Sequence, residues 1–341
     1  MTTSFLLWND ENIQKVSEWL KQGEVVAFPT ETVYGLGADA TNEVAIGKIF
    51  KAKGRPSDNP LIVHLSDVEQ MSRYVTEITP IAKQLIEAFM PGPLTVILKS
   101  NGKIAKNVTA GLDTVGLRIP DHLAARELIK ACDLPIAAPS ANLSGKPSPT
   151  SAVHVYQDLK DKITAILDGG PTGVGVESTV VDCTGQHAVI LRPGGITKQD
   201  IEHVLQAPVE DATVLETKDK PKSPGMKYTH YEPEVPMILI DGDDDYFRTQ
   251  INQYQSEGKK VGLLVSEELA RQSQADTVMT VGTREDIATV ANQLYHALRS
   301  FKKTDVDVIL AETFNEDGVG QAVMNRMRKA ATYIDIEDKS K

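Results

Sequence analysis

Short apolar runs recur along the chain, and some stand too close together for a helix to fit between them. EVVAF (24–28), LIVHL (61–65), LTVIL (94–98), TVGLRI (114–119), PIAAP (135–139), ITAIL (163–167), STVVD (178–182) and AVILR (188–192) each read as a buried strand. Only residues 183–187 separate STVVD from AVILR, enough for a hairpin turn but not for a crossover helix. The sheet is therefore expected to be mixed rather than purely parallel. Helical patterns occupy the wider gaps. ENIQKVSEWLKQ follows a possible cap at Asp10, places Ile13, Val16, Trp19 and Leu20 on one face, and stops at Gly23. NEVAIGKIFKAK, PIAKQLIEAFM and HLAARELIKA read the same way. Residues 1–206 are thus expected to form one α/β domain, a twisted mixed sheet flanked by helices.

The pattern changes near residue 207. Residues 207–236 are polar and Pro-rich without sustained periodicity, which reads as a linker. Beyond it VPMILI, KKVGLLV, TVMTV and DVDVILAE read as strands, and EDIATVANQLYHALRSF and GQAVMNRMRKAAT as helices. Residues 237–341 are expected to be a smaller, Rossmann-like α/β domain. Two domains suit a chain of 341 residues. The net charge of -11 argues against a surface built throughout for nucleic acid, so basic groups must be read locally. Cys132 and Cys183 make no zinc motif and no disulfide framework, which fits a reducing cytoplasm. The start, MTTSFLLWNDEN, lacks a basic n-region, and no run approaches the ~20 apolar residues of a membrane span. A cytoplasmic protein without membrane association is expected.

Several familiar motifs fail on inspection. Gly170 to Gly175 has P-loop glycine spacing, but Val176 and Glu177 follow where Lys and Ser or Thr belong. Gly35 and Gly37 give G-x-G without the third glycine of a dinucleotide fingerprint. Asp241, Asp243 and Asp245 imitate a calcium loop, yet Tyr246 and Asn252 stand where Gly and Glu are needed, so a solvated loop is expected there. Ser140 in PSAN lacks the G-x-S-x-G elbow of a serine hydrolase.

Three constellations remain. Lys48, Lys51, Lys53 and Arg55 gather at a helix end without an intervening acid, followed by the rigid turn RPSDNP and the strand carrying His64. Cations so placed suit phosphate oxygens. The strand PIAA delivers APSANLSGKPSPTS, a loop of small donors at a strand end, where open α/β sheets place ligands. In GVESTVVD to LRPGG, Ser178 and Thr179 open one strand and Arg192 closes the next.

The runs FPTETVYGLG, KAKGRPSDNPLIVH, PGPLTVIL, GLRIP, APSANLSGKPSPT, DGG, GVESTVVD and LRPG, in this order, closely resemble the YrdC-like family of L-threonylcarbamoyladenylate synthases. The resemblance covers residues 12–200, and the tail with SPGMKYTHYEP is similar to that of the longer two-domain members. It implies a nucleotidyltransferase that converts ATP, L-threonine and bicarbonate to threonylcarbamoyl-AMP and pyrophosphate, with tRNA not required for this step. Other proteins then transfer the group to adenosine 37 of tRNAs reading codons that start with A.

The same resemblance implies the site. The family's K-x-R pair falls on Lys53 and Arg55, and its S-x-N pair on Ser140 and Asn142; these four are assigned to the nucleotide and the reacting centre. Thr30, Arg118, Ser178, His64 and Ala138 match the threonine pocket, and Thr114, Ser148, Arg192, Ser57 and His230 match nucleotide contacts. Tyr228 and His230 lie in a segment implied to cover the active site. Magnesium is expected with ATP, and no organic cofactor or protein-held metal. This chemistry requires positioned substrates and positive charge rather than a protein nucleophile, which agrees with the inventory of cations and hydroxyls. Two competing readings are an RNA-binding module of the same fold, opposed by the acidic charge, and a carbamoyltransferase domain, which should come with zinc-finger and acylphosphatase-like segments.

Overall fold

A computed structural model describes residues 2–214 and 231–338. Tyr228, His230 and most of the expected linker lie outside the described residues. The chain forms two compact units, the first holding residues 2–144 and 148–214 and the second residues 231–338 with Gly145–Pro147.

The first unit is built on β1 (Ser4–Leu7), β2 (Val26–Phe28), β3 (Gly35–Asp39), β4 (Ile62–His64), β5 (Leu94–Lys99), β6 (Thr114–Arg118), β7 (Ile136–Ala137), β8 (Ala165–Asp168), β9 (Thr179–Asp182), β10 (Val189–Arg192) and β11 (Glu210–Asp211). Its helices are α1 (Asp10–Lys21), α2 (Glu43–Lys53), α3 (Val68–Ser72), α4 (Pro80–Phe89), α5 (Lys106–Thr109), α6 (Leu123–Cys132), α7 (Ala152–Leu159) and α8 (Lys198–Leu205). The strands join in one sheet of order β1-β8-β2-β3-β7-β4-β6-β5-β9-β10-β11. The expected mixture is present: β4 runs parallel to β6, whereas β5 runs antiparallel to β6 and β9 to β10.

Alternation along each strand divides the core into two layers. Val26 and Phe28 of β2 pack with Ile13, Val16 and Leu20 of α1 and Leu128 and Ile129 of α6. Ala27 points the other way, into the layer holding Ile46, Ile49 and Phe50 of α2 and Val155 of α7. Each of these large side chains contributes about 1.5–3 kcal/mol by leaving water, so the sheet is fixed from both faces.

Local differences from the sequence reading have identifiable causes. Asn9, not Asp10, caps α1, its side chain accepting from Asn12 N; Asp10 sits in the first turn, where a carboxylate also favours the helix dipole. GLGAD, whose two glycines give only an incomplete dinucleotide fingerprint, is β3, paired antiparallel to β2 and β7. A Cβ at Gly37 would lie 2.6 Å from the Phe28 ring and 2.8 Å from Ile136 Cγ2, so glycine there permits close packing rather than a tight turn. β11 pairs with β10 inside the stretch expected to be linker.

The second unit comprises β12 (Met237–Asp241), α9 (Asp244–Ser256), β13 (Val261–Val265), α10 (Glu267–Ala270), β14 (Thr277–Thr280), α11 (Ile287–Ser300), β15 (Val308–Glu312), α12 (Gly320–Ala330) and β16 (Tyr333–Ile336). Every strand pair is parallel, in the order β14-β13-β15-β12-β16. The layering is Rossmann-like, but the order, 3-2-4-1-5 in the unit's own count, differs from the 3-2-1-4-5 of dinucleotide-binding sheets. The acidic run expected to be a solvated loop starts α9: Asp243 caps it by accepting from Tyr246 N, and Asp244 and Asp245 fill its first turn.

Candidate active site

The strand order lays the candidate residues in a row. His64 ends β4 and stands in register with Arg118, which ends β6. Next comes the start of β5, where Leu94 pairs with Thr179, the residue after Ser178. Arg192, at the end of β10, pairs with Val180 of β9. On the other side of β4, Ala138 donates its N–H to Ile62 O at 2.9 Å. A mixed sheet is what allows this, because strand starts and strand ends then share an edge of the sheet.

Arg118 is buried and fully oriented by the chain. Its Nε donates to Gly92 O at 3.2 Å, Nη1 to Thr32 Oγ1 at 2.8 Å and Nη2 to Glu31 Oε1 at 2.6 Å. Thr32 Oγ1 lies 2.8 Å from Thr30 Oγ1, which also donates to Val33 O at 2.6 Å. Glu31 is held through its backbone, whose carbonyl accepts from Gly173 N and Val174 N. His64 Nδ1 is buried without a hydrogen-bond partner. Burial, and then the Arg118 charge, pushes the His64 imidazolium down to about 3, so the ring is neutral near pH 7.

Ser178 and Arg192 form a second cluster. Arg192 Nε donates to Ser178 O at 3.0 Å and Nη2 to Ser178 Oγ at 3.1 Å, while Ser178 Oγ lies 2.8 Å from Thr95 Oγ1. Ser148 Oγ donates to Glu177 Oε1 at 2.6 Å, which joins the serine loop to the same segment.

Lys53 joins α2 to the serine loop. The helix ends at Gly54, in the left-handed conformation with φ 61°, so Lys53 occupies the last helical position. Its Nζ donates to Ser140 O at 2.5 Å and Asn142 O at 2.6 Å. Asn142 Nδ2 donates to Leu143 O at 2.8 Å. Arg55 Nη2 reaches Asn59 O at 3.3 Å within the RPSDNP turn, and Ser57 is exposed on that turn. The serine loop is also tied to the opening stretch, since Leu36 N donates to Pro139 O at 2.7 Å and Ala141 N to Tyr34 O at 2.8 Å.

One described candidate is not brought into these clusters. Thr114 begins β6 four residues before Arg118, about 13 Å along the strand. His230 lies outside the described residues. Conversely, Glu31, Thr95 and Glu177 hold the functional side chains and were missed. Glu31 had a signal, a lone acid between Thr30 and Thr32, but hydroxyls and cations drew the reading. Thr32 and Tyr34, left without roles, gain them: Thr32 accepts from Arg118, and Tyr34 Oη donates to Gly170 O at 2.6 Å and lies 3.2 Å from Asp168 Oδ1.

Comparison with known proteins places the chain. Residues 18–194 match the Sua5, YciO and YrdC family model, described as telomere recombination, and residues 196–332 match the C-terminal domain of threonylcarbamoyl-AMP synthase. The Bacillus subtilis (strain 168) threonylcarbamoyl-AMP synthase is 52% identical over 96% of this chain and 95% of its own. The chain belongs to the threonylcarbamoyl-AMP synthase family. It is similar to the two-domain Pyrococcus abyssi threonylcarbamoyl-AMP synthase, 46% identical over 94% of this chain and 96% of that one. The crystal structure of P. abyssi Sua5 complexed with L-threonine superposes with a TM-score of 0.91 at 43% identity, covering 99% of this chain and 100% of that chain. Among the described residues of this family member, no helix is long and apolar enough to cross a membrane.

Proposed function

We infer that this chain is a threonylcarbamoyl-AMP synthase, a cytoplasmic enzyme supplying the activated group for N6-threonylcarbamoyladenosine at position 37 of tRNAs reading ANN codons. The observation that carries the reading is the pairing of an oriented, buried Arg118 with the hydroxyl-lined row on a chain 52% identical to a protein of that name. Residues 1–206 form the catalytic domain, 207–236 the connecting segment, and 237–341 the accessory domain. Proteins that transfer the threonylcarbamoyl group to tRNA are the downstream partners.

L-Threonine lies along the row. Its carboxylate meets Arg118 as a charge-assisted pair, and Thr30, His64, Ala138 and Ser178 line the rest of its pocket. Neutral His64 can donate or accept without repelling the substrate ammonium. ATP lies toward Lys53, Arg55, Ser140, Asn142 and Ser148, with Ser57 and Arg192 as further nucleotide contacts. Magnesium enters as part of the MgATP substrate. Magnesium so supplied would be held mainly by the ATP phosphates, as is usual for this ion.

In the reaction the threonine amine, having lost a proton, either attacks the carbon of bicarbonate with loss of hydroxide, which leaves as water, or adds across one C=O bond of carbon dioxide; both give a carbamate. A carbamate oxygen attacks the α-phosphorus, and the bond to the bridging oxygen breaks to release pyrophosphate. Lys53 and Arg55 offset the negative charge that grows on the phosphates, and the pocket holds the two nucleophilic events in line. The test is to supply protein with MgATP, L-threonine and bicarbonate and to measure pyrophosphate and threonylcarbamoyl-AMP. Folded protein that releases no threonine-dependent pyrophosphate would overturn the reading.

A further inference from the structure

The charge pattern around Arg118 is more specific than a carboxylate seat requires. Three of the five guanidinium N–H groups are committed, to Gly92 O, Thr32 Oγ1 and Glu31 Oε1, which leaves two for an incoming carboxylate. Glu31 is nearly as enclosed as Arg118, with side-chain exposures of 12% and 4%. Its Oε2 is buried and has no hydrogen-bond partner. A carboxylate oxygen kept from water without a donor is costly, by about 1–3 kcal/mol or more for a charged group, and each such group asks for an explanation. The backbone of Glu31 is pinned by Gly173 and Val174 and its Oε1 is held by Arg118 Nη2, so the carboxylate is fixed at both ends of the residue. The neighbouring imidazoles do not supply the missing donor: His64 is held neutral by burial and by Arg118, and both His64 Nδ1 and His122 Nδ1 are themselves unpartnered.

We propose that Glu31 is the specificity-determining residue for the α-ammonium group of the amino-acid substrate, its Oε2 taking the charge-assisted hydrogen bond that the ligand-free pocket leaves open. This rests on Arg118 as the seat of the substrate carboxylate. An α-amino acid carries its two opposite charges two bonds apart, and Glu31 and Arg118 present the two complementary charges 2.6 Å apart. With the zwitterion bound, the order carboxylate, guanidinium, carboxylate, ammonium pairs every charge with an opposite one. A ligand lacking the ammonium instead brings a second carboxylate to a guanidinium already neutralised by Glu31. In a pocket this dry that juxtaposition is strongly unfavourable. The pair therefore selects zwitterions over hydroxy acids of the same shape, and it sets the amine beside Arg118 before the nucleotide is attacked.

The test compares binding of L-threonine and of 3-hydroxybutyrate, which lacks only the amine, by calorimetry on the full chain. Wild-type protein is expected to prefer threonine at least tenfold. In Glu31→Gln threonine weakens at least tenfold while 3-hydroxybutyrate binds as well as or better than before, so the preference collapses; the ATP KM stays within about twofold. Equal weakening of both ligands would mean that Glu31 only orients Arg118, and tighter threonine binding would mean that it only blocks the seat. Either overturns the proposal. Wild-type protein binding both ligands equally overturns it without any variant, which covers the case of Glu31→Gln failing to fold. Arg118→Lys separates the underlying reading: threonine affinity unchanged there would remove the carboxylate from Arg118, a different failure from those above.

Discussion

Lys53 shows how one side chain serves two ends. Its ammonium holds the carbonyls of Ser140 and Asn142 and brings positive charge to the serine loop. Lys53→Ala is expected to lower pyrophosphate formation at least a hundredfold. Losing two buried hydrogen bonds to a charged group should also cost roughly 2–4 kcal/mol of stability, read as a lower denaturant midpoint for the first unit. A variant with wild-type turnover would remove Lys53 from the site. His64 makes a pH prediction. Its folded-state protonation lies near 3 and its unfolded-state protonation near 6.5. The unfolded chain therefore binds the extra proton between those values, and stability that is complete above pH 6.5 declines as pH falls toward 3. His64→Gln should flatten the dependence of Tm on pH between about 6 and 4 relative to wild type, measured by scanning calorimetry. Legibility at this scale was uneven. Cations and hydroxyls in dense motifs stood out, whereas Thr95 and Glu177, and the role of Glu31, became visible only once folding set each against its partner from a separate segment.

At the scale of elements, glycines decide where backbones meet. Gly37 of β3 has no room for a methyl group between Phe28 and Ile136. Gly37→Ala is expected to lose about 1–3 kcal/mol, a fall in Tm of roughly 2–12 °C for a unit of this size. Gly194 is more constrained, because an added Cβ would collide with the backbone of Glu177, Ser178 and Thr179, which cannot rotate away as a side chain can. Gly194→Ala should therefore displace Ser178 and raise the threonine KM more than the ATP KM in a steady-state assay; equal effects on both would show general unfolding. Apolar runs of five or six residues were readable as strands because burial on both faces demands them. β3 was not, since GLGAD carries two glycines and little β propensity, and pairing on both edges overrides that. β16, four residues starting three positions after the end of α12, falls below the length at which periodicity speaks, whereas β7 forms inside the run PIAAP, which reads as a strand.

At the scale of the molecule, the α/β character of both units and the mixed first sheet were legible from spacing alone. The joining of eleven strands into one sheet was not, because register across distant segments is set by tertiary packing. The second unit has its own apolar layer, with Phe247 and Ile251 of α9 against Val261, Leu263 and Leu310. A fragment of residues 231–341 is expected to unfold cooperatively in urea; a non-cooperative transition would show that it depends on the rest of the chain. The row of site residues in the first unit has a different consequence. Thr30, His64, Arg118, Ser178 and Arg192 come from strands or turns spread over more than 160 positions of sequence, and no shorter stretch contains them. On the assignment proposed above, a chain growing from the ribosome completes the threonine pocket only after Ser178 has emerged, and the nucleotide side only when Arg192 has followed and β10 has paired. On that assignment threonine is expected to stabilise finished first units and to leave shorter nascent chains untouched.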